Sequence, residues 1–274
     1  MKLVVDGREA YAYTGGKPFD PALPCVVFVH GALHDHSVWT LLARWFAHHG
    51  HAVLALDLPG HMRSAGPALH SIEAMADGLL ALLDAAGVQR AALVGHSMGS
   101  LVALQAAAQA PTRASQLVML GSAVPMPVPQ ALLDLSLTDT PAAIARVTSF
   151  SFSTLAPKPA YPGPGVWLRG GYRALMHLVL NVQGDGRLFH TDFSACNAYT
   201  QGLAAAARVT APATLVLGQF DQMTLPRGAR AVTAVLKAQV HTLQAGHALM
   251  QELPDPVLAA LRAAIAERAQ TEPR

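Results

Sequence analysis

The pentapeptide Gly95-His96-Ser97-Met98-Gly99 holds residues whose types and spacing could do chemistry. A serine hydroxyl becomes a useful nucleophile when a sharp strand-to-helix turn exposes it and a neighbouring base takes its proton. Glycines two positions to either side are what such a turn needs, because side chains there would run into adjacent backbone. The apolar run "AALV" before the motif and the helix-forming "MGSLVALQAAAQA" from residue 98 supply that context. A helix starting behind Ser97 would also bring oriented N–H groups and a positive dipole end to bear on negative charge developing in a substrate.

Thirteen histidines could serve as the base. His96 neighbours the serine, but consecutive side chains on a tight turn point apart, which gives it a structural role. His241 falls inside a strand pattern and packs on the sheet. His247, in "AGHALMQELPDP", lies in a loop just past that pattern, where its ring can reach the carboxyl edge of a sheet. Asp221, in "LVLGQFD", ends another apolar run and is the candidate acid; its plainer reading is a solvated turn aspartate. The order Ser97, Asp221, His247 is the nucleophile, acid, base order of one hydrolase fold. The alternative acid position, after the preceding strand, reads "GSAVP" and offers no carboxylate.

A second stretch, "HGALHDH" at 30–36, packs three histidines and an aspartate together. A metal site would need three or four converging ligands from His30, His34, Asp35 and His36. His30 instead ends a strand and is followed at once by Gly31, so the expectation is a turn whose backbone N–H matters, with no metal. Asp35 or Ser37 would cap the next helix.

These residues need elements to position them. The apolar runs at 25–30, 52–57, 91–96, 116–122 and 213–219, and a weaker one at 238–244, read as strands buried on both faces, as in a parallel sheet covered by helices. Helical patterns at 37–49, 71–86, 98–110, 226–237 and 254–267 alternate with them, with start signals at Ser37, Ser71, Pro226 and Pro254 and stop signals at Gly50 and Gly87. The order predicts a doubly wound α/β sheet. An N-terminal hairpin can add to its edge. From 125 to 208 the rhythm breaks into helical stretches at 129–137, 141–152, 166–180 and 188–207, with a Pro/Gly-rich piece at 156–165. The expected organisation is a core of residues 1–124 and 209–274 and a helical lid of 125–208.

Composition narrows the function. Of 274 residues 52% are hydrophobic and 13% charged, with a net charge of +2 and no Lys/Arg run suited to a phosphate backbone. Nucleic acid is thereby excluded as an expected partner. No segment reaches the length of a membrane span, the N-terminus does not read as a secretory signal, and the two cysteines, far apart, read as reduced packing residues; a cytoplasmic location is expected.

Taken with "HG" at 30–31, "DLPGHMRS" at 57–64, "GHSMG" at 95–99, "GQFD" at 218–221 and "GHALMQELP" at 246–254, the chain resembles the α/β-hydrolase superfamily, in its lidded esterase and lipase group. The resemblance runs from about residue 26 to 257 and is weakest in the lid. It implies Ser97 as nucleophile, His247 as general base and then acid, and Asp221 as its orienting partner. It also implies an oxyanion hole built from the backbone N–H groups of Met98 and Ala32, with Leu33 as fallback, and no cofactor. The implied activity is that of a carboxylesterase on a small-molecule ester. Alternatives are hydrolysis of a carbon–carbon bond in a diketone-like substrate, and a ligand-binding receptor that keeps the triad without turnover. Leu33, Met126, Phe150 and Trp167 are the expected substrate-binding residues; lid aromatics, including Phe152, Phe193 and Tyr199, could equally do no more than pack the lid on the core. Two positions depart from the family pattern, Met62 and Ser100, where glycine is common, and they bear on loop shape and helix fit. Asp57 and His61 are expected to hold turns.

Overall fold

A computed structural model describes residues 1–153, 167–182, 184 and 186–266. The Pro/Gly-rich piece at 156–165 lies outside the described residues.

Eight strands form one sheet: β1 (Lys2–Val5), β2 (Arg8–Tyr13), β3 (Cys25–Val29), β4 (Ala52–Leu56), β5 (Ala91–His96), β6 (Ala114–Leu120), β7 (Ala213–Gly218) and β8 (Gln239–Leu243). Their spatial order is β1-β2-β4-β3-β5-β6-β7-β8. β1 and β2 form the antiparallel hairpin at the edge, and every pairing from β4 to β8 is parallel. The doubly wound, mostly parallel sheet expected from the apolar runs is therefore present.

Alternation within those runs explains why they read as continuously apolar. Val27, Val29, Leu54, Leu93, Leu117, Met119 and Leu215 belong to one core layer, and Val26, Phe28, Val53, Val94, Val118, Leu120 and Val216 to the other. Each face is covered by helices, so both parities must be hydrophobic. Helices α1 (Thr40–His48), α2 (Ile72–Ala85) and α3 (Met98–Gln109) follow β3, β4 and β5 in turn. α2 and α3 pack in the first layer, while α1 packs in the second. Ser71 caps α2, its hydroxyl accepting from Ala74 N at 3.1 Å. Of the two expected caps, Asp35 and Ser37, it is Asp35 that caps a short 3₁₀ turn at His36–Trp39 leading into α1, its carboxylate accepting from Ser37 N.

Between β6 and β7 the described residues form α4 (Gln130–Thr138), α5 (Thr140–Ser151), α6 (Leu168–Val182), α7 (Leu188–Ala198) and α8 (Gly202–Ala206). The helix expected at 188–207 is broken at Tyr199, whose hydroxyl donates to Gln105 Oε1 of α3 at 2.7 Å, and α8 then packs against α3. After β7 come α9 (Arg230–Leu236), α10 (Leu249–Glu252) and α11 (Pro254–Ala266). Among the described residues no helix is long and apolar enough to cross a membrane.

Candidate active site

Ser97 stands between the last residue of β5 and the first of α3, with φ +52° and ψ −121°, a left-handed backbone that non-glycine residues rarely adopt. The surroundings enforce it. A Cβ on Gly95 would overlap the Gly99 carbonyl, and one on Gly99 would overlap the carbonyls of Val29 and His30. Ser97 N donates to Leu120 O at 2.9 Å, tying the turn to β6. Ser100, a departure from the family pattern, donates its hydroxyl to Ser97 O at 2.6 Å and pairs with Ser122 Oγ at 2.7 Å, so the elbow is braced from within. Met62, the other departure, takes φ +38°, a conformation in which glycine would be unstrained.

β7 delivers Asp221 and β8 delivers His247. Asp221 Oδ2 accepts from His247 Nδ1 at 2.8 Å and from Thr224 Oγ1 at 2.7 Å, while Oδ1 accepts from the amides of Met223 and Thr224, each at 2.8 Å. Burial works against the charged carboxyl, but His247 and the Thr224 hydrogen bonds outweigh it and hold its pKa below the ordinary value. Because Nδ1 donates to the carboxylate, Nε2 of His247 is left as the basic nitrogen. The loop carrying His247 is held on several sides. His96 Nε2 donates to His247 O at 2.9 Å, Gly246 N donates to Glu252 Oε1 at 2.9 Å, and Ala248 N donates to Ser151 O at the end of α5 at 2.8 Å. His96 thus has the structural role that its position on the turn suggested.

Ser97 and His247 line one recess of about 20 Å³, together with Ala32, His34 and Tyr172 among others. No hydrogen bond joins Ser97 and His247 among those of the described residues; in ligand-free sites such contacts are often long and tighten on binding. Met98 is the first residue of α3, so its N–H has no intrahelical acceptor, and the Ala32 N–H donates to nothing among the described residues. The recess adjoins a cavity of about 300 Å³ lined by Ala32, Ser97, Met126, Leu132, Phe150 and Phe193, with Arg146 its one charged lining residue among those described.

Two expectations are corrected. Leu33 is fully buried and does not line the cavity, and its N–H donates to Asp192 Oδ2 at 2.8 Å, so neither its side chain nor its amide is available to a substrate. Trp167 is 55% exposed and borders a separate hollow with Pro141 and Ala145, its ring facing the Arg173 guanidinium at 5.5 Å. Met126 and Phe150 do line the cavity above Ser97. Of the other aromatics between β6 and β7, Phe193 lines it, while Phe152 and Tyr199 are buried in the core.

The "HGALHDH" histidines each hold a different partner. His30 Nδ1 donates to Gly31 O at 2.8 Å while its Nε2 accepts from Leu58 N at 3.1 Å, and His34 Nδ1 donates to Ala32 O at 2.7 Å. His36 Nδ1 donates to Asp57 Oδ1 at 2.7 Å. Asp35, His36 and Asp57 do bring potential ligand atoms within 4.8 Å of one another, but those atoms are engaged in the helix cap and in this turn lock. Asp57 also accepts from the amides of His36 and Arg63, the turn-holding role expected of it.

Sequence reading missed Thr224, Glu252 and Asp192. Thr224 stands three residues after Asp221, a spacing at which a side chain can close a turn on an aspartate. Asp192 reaches from α7 to His61 Nε2 at 2.9 Å and to Leu33 N, a link across more than a hundred residues that no local pattern announces.

Residues 24–147 match the family model described as alpha/beta hydrolase fold. The crystal structure of the enol-lactonase from Burkholderia xenovorans superposes with a TM-score of 0.83 at 20% identity, over 97% of this chain and 100% of that one. The chain has the α/β-hydrolase fold. An esterase from Exiguobacterium antarcticum shares this fold with a TM-score of 0.81 at 16% identity, over 97% and 99% of the two chains. Sequence relatives match over little more than a third of this chain. A lipase of Mycobacterium tuberculosis is 38% identical over 109 residues, 39% of this chain and 40% of that one. The dihydrolipoyllysine-residue acetyltransferase component of the acetoin cleaving system of Pseudomonas putida is 39% identical over 103 residues, 36% of this chain and 26% of that one. The chain thus spans about a quarter to two fifths of the length of these curated relatives.

Proposed function

We propose that this protein is a serine hydrolase, a carboxylesterase for small to medium apolar carboxylic esters. The observation that carries the reading is the pairing of a strained, glycine-flanked Ser97 with His247 in one recess, the imidazole being oriented by a buried Asp221. Ser97 Oγ attacks the ester carbonyl carbon as its proton passes to His247 Nε2. The carbonyl oxygen takes the electron pair and is met by the amides of Ala32 and Met98. Donors of this kind are worth about 3 kcal/mol each in the transition state. Collapse expels the alcohol, protonated by His247, and leaves an acyl group on Ser97. Water, deprotonated by His247, then releases the acid.

The substrate class follows from the cavity. Its volume of about 300 Å³ is at the small end for ligand pockets, and Met126, Leu132, Phe150 and Phe193 give it an apolar wall. Residues 126–129 together with helices α4, α5 and α7 supply most of the lining, which supports residues 125–208 acting as a cap over a core of 1–124 and 209–274. Relatives named as a lipase, an esterase and an enol-lactonase support ester chemistry. The test is a series of p-nitrophenyl esters of increasing acyl length on the wild type and Ser97→Ala. Turnover greatest for short to medium chains and abolished by the substitution is expected; equal turnover by both proteins would overturn the reading.

A further inference from the structure

His34 is a second histidine in the recess, and the triad makes no use of it. It is 3% exposed and lines the recess beside Ser97 and His247. Its Nδ1 donates to Ala32 O at 2.7 Å, which fixes the tautomer and leaves Nε2 as a lone-pair acceptor. That nitrogen is buried and has no hydrogen-bond partner among the described residues. A buried acceptor without a partner is unfavourable by about 1–3 kcal/mol, so its persistence calls for a ligand that donates. Burial pushes the His34 pKa down to about 4, keeping the ring neutral and able to accept at working pH. Tyr172, also on the recess wall, packs against the ring with centroids 4.6 Å apart and fixes its plane.

The recess has room for one molecule of water: its volume is about 20 Å³, and a single water needs roughly 10–15 Å³ on this measure. We propose that His34 is the positioning residue for the deacylating water, its Nε2 accepting one O–H while the other O–H faces His247 Nε2. This rests on the acyl-enzyme reading above. The water oxygen forms the new bond to the acyl carbon, and the proton directed at His247 passes to its Nε2 and then to Ser97 Oγ as the C–O bond to serine breaks. The proton directed at His34 stays on the oxygen and leaves with the carboxylic acid. Water can satisfy both nitrogens because it has two O–H groups. An alcohol has one, which it must give to His247, so His34 favours hydrolysis over transfer of the acyl group to an alcohol.

The experiment measures burst and steady-state kinetics on p-nitrophenyl acetate, and the ratio of acetic acid to methyl acetate formed in added methanol, for the wild type, His34→Phe and His34→Gln. His34→Phe keeps a ring against Tyr172 and removes both the acceptor and the Nδ1 hydrogen bond to Ala32 O; His34→Gln restores an acceptor and a donor. Loss of one oriented hydrogen bond predicts deacylation about tenfold slower in His34→Phe, a p-nitrophenolate burst, and a product ratio shifted about tenfold towards methyl acetate, with acylation changed less than about threefold. His34→Gln should recover part of the preference for water. An unchanged product ratio in a folded His34→Phe, or acylation slowed as much as deacylation, would overturn the proposal. If neither variant folds, the wild type alone decides: it should form acetic acid in excess of the water-to-methanol molar ratio, and a proportional yield refutes the role. Absence of turnover and of Ser97 acylation in the wild type would instead refute the hydrolase reading itself.

Discussion

Asp192→Ala should be among the most damaging substitutions away from the triad. Asp192 projects from α7 and is fully buried, as are both of its partners, His61 and Leu33. Truncation strands two donors, the Leu33 amide and the His61 Nε2–H, where water does not reach them. An unpaired buried donor is unfavourable by about 1–3 kcal/mol, and breaking a buried charged pair by about 3–5 kcal/mol, so a loss of about 3–5 kcal/mol is expected. That is a large share of the roughly 5–15 kcal/mol by which domains are stable. The loss also depends on pH. Burial pulls the His61 pKa down, but Asp192 outweighs it and the net shift is upward. A raised histidine pKa contributes stability fully below the unfolded value, about 6.5, and that contribution fades as pH rises through the folded value. Urea unfolding of wild type and variant across this range should therefore show a difference that is largest in mild acid and shrinks in alkali without vanishing, since the hydrogen bonds to Leu33 and neutral His61 persist. A loss below about 1 kcal/mol, or one that grows with pH, would refute the assignment of Asp192 as the charged link between α7 and the loop after β4.

Other perturbations follow from the same geometry. Gly99→Ala places a Cβ on the carbonyls of Val29 and His30, so a stability loss of about 3 kcal/mol in thermal unfolding, with loss of esterase activity, is expected. Asp221 has a depressed pKa, so it adds stability above its unfolded value, near 3.8, that disappears as pH falls through the folded value; the stability gap between wild type and Asp221→Asn, followed by urea midpoints, should narrow on acidification. Phe150→Ala should raise KM for medium-chain esters by about tenfold, through lost apolar contact in the cavity, whereas Trp167→Ala should leave kcat/KM within about twofold, as steady-state kinetics will show. Treatment with EDTA should leave esterase activity unchanged, because Asp35 Oδ1, His36 Nδ1 and Asp57 Oδ1 are already committed to protein partners.

The sheet was legible because a parallel strand buried on both faces has to be apolar at every position, and the runs around Val27, Leu54, Leu93, Val118 and Leu215 are. Ser97 was legible for a local reason too, since its strained turn demands Gly95 and Gly99 nearby. Asp221 and His247 could be located because each immediately follows a strand, which fixes where the backbone emerges. The pocket was harder. Whether Phe150 or Trp167 faces the cavity depends on how the helices between β6 and β7 rotate against the core, and amphipathic periodicity does not set that angle. Leu33 was misplaced because its amide is taken by Asp192, a partner 159 residues away. Asp192 sits in no local motif that would mark it, and "HGALHDH" marks His34 only as one histidine of a cluster; what distinguishes both residues is a buried polar atom meeting, or lacking, a distant partner.

The central claim is that Ser97 is a nucleophile activated by His247. Its most direct measurement is the reaction of the intact protein with a fluorophosphonate, followed by mass spectrometry of the digested adduct. One phosphonyl group on Ser97, absent in Ser97→Ala and slowed at least about a hundredfold in His247→Ala, is the predicted result. An unlabelled protein, or label on another residue that survives Ser97→Ala, would contradict it.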